Sequence, residues 1–310
     1  MEPDVADDIV AEEYWAKKGD VDLYVYRKHS PSRRARSPQA PVLFLVHGSS
    51  FSSRTTYDLE VPGHGEYSVM NVFASLGYDV WTMDHEGYGR SSHTDGFSFV
   101  ADGVEDLKAA APIVERVTGQ SAFAYFGTSS GALRAGRFAN ESPQHVARLA
   151  LAALVWTGEG SPTLVKRAER LDEWRASNRR AADKATYEGI FSRDIVGLTI
   201  PELAEAAASA EMANGGGSVP NGTYIDMCTN LPLVDPERVA CPVLIFRGDH
   251  DGIATDQDVL GFFARLPTRD KQLILSSGQP HNTSLGINRH RFWHILHAFM
   301  SVPARRDELQ

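Results

Sequence analysis

One stretch narrows the choice of fold more than any other: Ala122-Phe123-Ala124-Tyr125-Phe126-Gly127-Thr128-Ser129-Ser130-Gly131-Ala132. The apolar run at its start, rich in aromatics, predicts a strand covered on both faces. It leads directly into G-x-S-x-G, and the residues from 132 to about 139 predict a helix. Gly127 and Gly131 flank the serine because side chains there would collide with neighbouring backbone in so tight a turn. Such a turn lifts the Ser129 hydroxyl off the sheet. The helix behind it aims its N-terminal amides at any negative charge developing there.

Around that centre the chain alternates strand and helix. Residues 1–20 read as an acidic lead-in with one helical turn around 11–17, and 21–26 as an edge strand with one wet face. A polar loop over 30–40 precedes the central strand 41–46, which ends in His47-Gly48-Ser49-Ser50. Residues 51–67 are loop-like and long enough to suggest a functional loop. A helix over 68–76, a strand over 78–83 and a turn-rich segment over 84–91 follow. Val104, Leu107, Ala111 and Val114 then recur at helical spacing within 99–117, and 146–155 reads as another core strand.

At about residue 157 the texture changes. Residues 157–235 hold no convincing strand but several helical patterns, one stepping through Leu164, Ala168, Leu171 and Arg175, another opened by Pro201. The sheet resumes with a strand over 241–251, a helix over 257–266, a last strand over 272–275, a loop over 276–281 and a helix over 289–300. The prediction is an α/β fold: a mostly parallel sheet with helices on both faces. Residues 1–156 and 236–310 form the two parts of the core, and 157–235 form a helical cap over the sheet's carboxyl edge.

A serine hydroxyl is a poor nucleophile at neutral pH and needs a histidine base, itself oriented by an acid. Downstream of Ser129, Asp251 ends one strand segment and His281 follows the next. Asp249 is a rival for the acid, and Glu159, just past the strand ending near Trp156, is another. His290, His294 and His297 share a face of the last helix, but no acidic ligand accompanies them, so they read as packing and surface residues. His47 reads as structural.

These motifs resemble the α/β-hydrolase superfamily over essentially the whole chain from about residue 20. The matching residues are Gly127 to Gly131, His47-Gly48-Ser49, Asp84 to Ser91, Gly248 to Asp251, and Pro280-His281. The resemblance implies a carboxylesterase-like serine hydrolase with Ser129 as nucleophile, His281 as general base and then acid, and Asp251 as the orienting acid. It also implies an oxyanion hole made by the backbone N–H groups of Ser49 and Ser130, with Ser50 as a substitute for the former. One departure is Glu86, where family members commonly carry Arg or Pro. A serine at 129 argues against dehalogenases and epoxide hydrolases. It favours a small-molecule ester as substrate and leaves open an acyltransferase, a lactonase or amidase, a C–C bond hydrolase, or a binding protein on the same scaffold.

Composition excludes other classes. Of 310 residues, 42% are hydrophobic and the net charge is -9, so nothing electrostatic draws the chain to nucleic acid or an anionic membrane. The basic cluster Arg33-Arg34-Ala35-Arg36 reads as a solvated connection. Two cysteines, Cys228 and Cys241, make no disulfide framework. The acidic opening residues lack a signal-peptide profile, and Gln310 follows the retention-like Asp307-Glu308-Leu309. The expectation is a cytoplasmic protein with no cofactor and no metal, and a homo-oligomer is left open. Six cap arginines (Arg167, Arg170, Arg175, Arg179, Arg180 and Arg193) read as a solvated face balanced by Glu169, Asp172 and Glu173. The alternative is that one of them meets a substrate carboxylate. Trp156, Trp174 and Tyr187 are candidate pocket walls.

Overall fold

The computed structural model describes residues 5–6, 8–35 and 40–303. Arg36, the first four residues and the 307–310 tail lie outside the described residues. The chain opens with two antiparallel strands, β1 (Val10–Lys18) and β2 (Val21–His29). The short helix α1 (Pro31–Ala35) follows, then β3 (Val42–Val46), α2 (Ser53–Tyr57), α3 (Val69–Ser75) and β4 (Asp79–Met83). Next come α4 (Val100–Thr118), β5 (Phe123–Thr128), α5 (Ser130–Glu141) and β6 (Val146–Ala152). Between β6 and the next sheet strand lie α6 (Pro162–Ala168), α7 (Leu171–Ala176), β7 (Arg179–Ala181), α8 (Lys184–Ser192), α9 (Leu203–Ala213), β8 (Ser218–Pro220) and α10 (Gly222–Thr229). The chain closes with β9 (Val243–His250), α11 (Asp256–Arg265), β10 (Lys271–Pro280) and α12 (Arg289–Met300).

Eight strands form one sheet in the order β1-β2-β4-β3-β5-β6-β9-β10. From β4 to β10 every pairing is parallel, and β1 and β2 join at one edge antiparallel. The central strands β3 and β5 are buried at every position, which is why their sequences are unbroken apolar runs rather than alternating ones. One sheet face packs against α4, α5 and α11 through Leu107, Leu133, Phe138 and Phe262. The opposite face packs against α3 and α12 through Met70, Phe73, Phe292 and Leu296. The expected α/β architecture is present.

Several local expectations need correction. The turn of helix expected at 11–17 is the strand β1. Its even-numbered residues from Glu12 to Lys18 face inward, Tyr14 packs on Trp81, and Gly19 at φ 57° turns the chain into β2. A period of two, completed only by the partner strand, overrides the local helical pattern. β2 is therefore not the edge. The loop over 51–67 contains α2, and α1 lies in the loop expected over 30–40. The helix drawn through Leu164 to Arg175 is two helices, α6 and α7. The segment 157–235 does contain strands: β7 pairs antiparallel with β8 across nearly forty residues, a pairing that no local pattern reveals. Finally, 276–280 continues β10 through a bulge instead of forming a loop.

The inserted segment docks onto the core through a third apolar cluster. Tyr187 and Phe191 of α8 stack on Phe51, and Leu203 and Ala207 of α9 join Leu59 and Tyr67 from the 51–67 connection. That long connection is therefore the platform for the insertion. Among the described residues no helix is long and apolar enough to cross a membrane.

Candidate active site

The carboxyl ends of β3, β5, β9 and β10 converge at one edge of the sheet, where ligands bind in open α/β folds. At the end of β5, Ser129 adopts φ 56°, ψ −124°, a conformation rare for a residue with a side chain. Its N–H donates to the Ala152 carbonyl at 2.9 Å. The flanking glycines are required by close approach. A Cβ at Gly131 would stand 2.1 Å from the Val46 carbonyl oxygen, and one at Gly127 would stand 2.3 Å from that of Gly131. The strain thus holds the serine at the N-terminus of α5, where helix amides point outward.

His281 follows β10 directly. The pairing of β9 and β10 runs to Gly248 and Ser276, shifts, and resumes at His250 and Pro280, so the bulge sets the direction in which the next residue points. The result is a hydrogen bond of 2.7 Å between His281 Nδ1 and Asp251 Oδ1, both residues being buried. The same oxygen accepts from the N–H groups of Ile253 and Ala254 at 2.8 and 3.1 Å. Burial pushes the Asp251 carboxyl up, but His281 and the two amides outweigh it and hold the group below the usual carboxylate range. An ionised Asp251 fixes the proton on Nδ1 and leaves Nε2 as an acceptor.

Ser129 and His281 line the same narrow cavity, of about 30 Å³. Ser129 Oγ makes no hydrogen bond to any described residue, His281 included. Such bonds are often long without substrate and tighten when it binds.

The end of β3 presses against the elbow. A Cβ at Gly48 would lie 3.1 Å from the Thr128 carbonyl and 3.4 Å from Ser129 Cβ. Ser49 Oγ donates to Ser130 Oγ at 2.7 Å, which brings those two backbones together beside Ser129. The inserted segment grips the same stretch. Arg180 Nη2 donates to the Ser49 carbonyl at 2.5 Å and to Ser50 Oγ at 3.2 Å, and Tyr187 Oη donates to the Ser50 carbonyl at 3.1 Å. Tyr224 of α10 completes this wall, its ring clamped between Arg167 and Arg180, whose guanidinium carbons lie 3.6 and 3.7 Å from the ring centre. Burial would raise the Tyr224 phenol, but Arg180, Arg167 and the Ser50 hydroxyl pull it down to about 7.

Tyr224 and the grip of Arg180 were not foreseen from sequence. The only trace of them there is the density of arginine between 167 and 193. The solvated face expected for the cap arginines holds for Arg170, which pairs with Glu173, but fails for Arg167, which is 8% exposed. The rivals for the acid stand apart: Asp249 is partly exposed and accepts from the Gln279 N–H, while Glu159 is exposed and outside the cavity. Trp156 packs on Phe262 away from Ser129, whereas Trp174 stands edge-on to Tyr224. His47 is buried, donates Nδ1–H to the Gly48 carbonyl and accepts the His85 N–H at Nε2, and burial holds it neutral. Glu86 pairs with Lys18 of β1 at 2.7 Å, on the hairpin side of the sheet. His297 bonds Tyr78, while His290 and His294 are exposed.

Residues 63–285, a span that contains Ser129, Asp251 and His281, match the α/β-hydrolase family described as serine aminopeptidase, S33. The chain belongs to this family. A 104-residue stretch is 34% identical to the lipase lipl-3 of Caenorhabditis elegans, covering 30% of this chain and 24% of that one. The match therefore spans about a quarter of the length of that curated relative. Among solved structures, a thermophilic esterase from Thermogutta terrifontis superposes with a TM-score of 0.68 at 15% identity, covering 93% of this chain and 98% of that one. The 2-hydroxy-6-oxo-6-phenylhexa-2,4-dienoate hydrolase from Rhodococcus sp. strain RHA1 gives 0.68 at 16% identity over 95% and 100%. The enol-lactonase from Burkholderia xenovorans LB400 gives 0.64 at 14% over 93% and 100%. At such identities the likeness is one of fold.

Proposed function

We propose that this hydrolase cleaves a carboxylic ester of a small organic molecule through a covalent acyl-enzyme. The observation that carries the reading is the buried His281–Asp251 hydrogen bond of 2.7 Å at the wall of the cavity that the strained Ser129 also lines. Ser129 Oγ attacks the ester carbonyl carbon while His281 Nε2 takes its proton. The tetrahedral oxyanion is held by the backbone N–H groups of Ser49 and Ser130. Removing one such donor costs about 3 kcal/mol in comparable sites. Collapse breaks the bond to the alkoxy oxygen, which leaves with the proton from His281. A water molecule then repeats the sequence on the acyl-enzyme and releases the acid. Residues 157–235 serve as the cap, since their side chains close the cavity above Ser129.

The test is the intact mass after incubation with a neutral fluorophosphonate probe. One adduct is expected on the wild-type protein and none on Ser129→Ala. Ester hydrolysis should fall by at least about 10³-fold in the variant. Absence of an adduct on the wild type would remove the activated serine from consideration.

A further inference from the structure

The cavity over Ser129 shares a wall with an outer basin of about 850 Å³: Arg167, Ile190, Arg193 and Tyr224 line both. The arginines of this partition are not equally satisfied. Arg193 is taken up by Asp194, which it grips through two hydrogen bonds of 2.7 and 2.5 Å. Arg180 is spent on Ser49, Ser50 and backbone carbonyls, with no carboxylate. Arg167, the most deeply placed, has a weak contact to Met227 Sδ at 3.9 Å and the face of Tyr224, and among the described residues no acid pairs with it. Asp251 is committed to His281, and Asp249 lies at the partly exposed outer wall. Arg167 and Arg180 thus meet no carboxylate, and of the two only Arg167 lines the cavity over Ser129 and, among the described residues, leaves its N–H groups without an oxygen partner. A guanidinium taken out of water without an acid partner is costly, and an arriving anion relieves that cost. Ile190, Met227, Ile253 and Leu285 supply apolar wall to the cavity that Arg167 and Ser129 both line.

We propose that Arg167 is an anion subsite and that the ester this enzyme cleaves carries a carboxylate separated from the scissile carbonyl by a short apolar chain, as in a half-ester of a dicarboxylic acid. The inference rests on the serine-hydrolase reading above. A singly charged group fits better than a phosphate dianion, because one guanidinium without an oxygen partner awaits it and the ionised Asp251 lies on the wall of the same basin. The other cap arginines hold the wall, and Arg167 selects.

The test compares kcat/KM for the 4-nitrophenyl half-ester of adipic acid with that for its neutral terminal-amide analogue. The wild type should prefer the half-ester by about tenfold or more, mainly through KM, the discrimination expected of one desolvated ion pair. In Arg167→Gln the ratio should approach one, and Arg167→Lys should fall between. An unchanged ratio in Arg167→Gln overturns the subsite, and so does a preference for a phosphomonoester-terminated analogue over the half-ester. A control on the wild type needs no variant to fold: adipic acid monoamide should slow labelling by the neutral fluorophosphonate, and uncharged adipamide should not. Equal effects of the two overturn the proposal. Because the probe is neutral, failure to label sinks the serine reading, whereas labelling without charge discrimination sinks only the subsite.

Discussion

Gly131 occupies a position where even a methyl group has no room, 2.1 Å from the Val46 carbonyl. Gly131→Ala must move either β3 or the first turn of α5, because both neighbours are backbone. A loss on the order of 2–4 kcal/mol in urea unfolding is expected, together with slower fluorophosphonate labelling. Asp251→Asn should fold, since an amide oxygen still accepts from Ile253 and Ala254, yet reduce kcat by about 10⁴ because the wrong tautomer of His281 is then favoured. Wild-type-like turnover in that variant would disqualify Asp251 as the orienting acid. Tyr224 makes a spectroscopic prediction. With its phenol drawn down to about 7, one tyrosine should ionise near neutral pH in a 295 nm titration, and that step should vanish in Tyr224→Phe. The folded value lies below the unfolded value of about 10. The stability Tyr224 adds relative to phenylalanine is therefore complete above pH 10 and lost as the pH falls through 7.

At the scale of elements, the end of β3 is held from two sides. From below, the Tyr88 hydroxyl donates to the Ser49 carbonyl at 3.1 Å, and from above β7 reaches the same oxygen through Arg180. The orientation of the Ser49–Ser50 peptide, whose N–H is that of Ser50, therefore depends on a residue 131 positions away from Ser49. Arg180→Ala should lower kcat for uncharged esters by about 10-fold to 10²-fold with a smaller change in KM, the pattern of a lost transition-state interaction. A rise in KM at constant kcat would instead assign Arg180 to ground-state binding. The same scale shows how far the chain could be read. The strand–turn–helix at Ser129 was legible because each part is encoded within a few residues: an apolar run, two glycines, a helical repeat. β1 was not, since its inward-facing Glu12, Tyr14, Ala16 and Lys18 show a period of two only once β2 is beside them.

At the scale of the whole molecule, the inserted segment is anchored by a buried acid as well as by the Phe51 cluster. Glu211 of α9 accepts the Ser52 N–H at 2.5 Å, at the N-terminus of α2. Burial pushes its carboxyl up to about 7, against the opposing pull of the Ser52 and Thr55 groups. A carboxyl raised in the folded state contributes its full stability below the unfolded value near 4.5, and that contribution drains away as the pH rises through 7. Glu211→Gln keeps the acceptor and removes the titration. Between pH 5 and 8 the wild type should lose on the order of 3 kcal/mol relative to the variant. Parallel pH profiles for the two proteins would show that Glu211 carries no such load.

What the sequence determined by itself was the class of fold, the strained serine and the order in which an acid and a histidine follow it on later strands. Each of these is written in local terms, as a period, a turn or a strand end, and local terms need no partner. Tertiary structure decided the rest. It set Asp251 rather than Asp249 or Glu159 against His281, because two neighbouring strands and a bulge determine which carboxylate reaches the ring. It also paired β7 with β8 and turned Arg167 from an expected solvated residue into a buried cation facing the cavity. Which arginine of a helical repeat meets water and which meets the site depends on the surface packed against that helix, and that surface comes from residues far away in the chain.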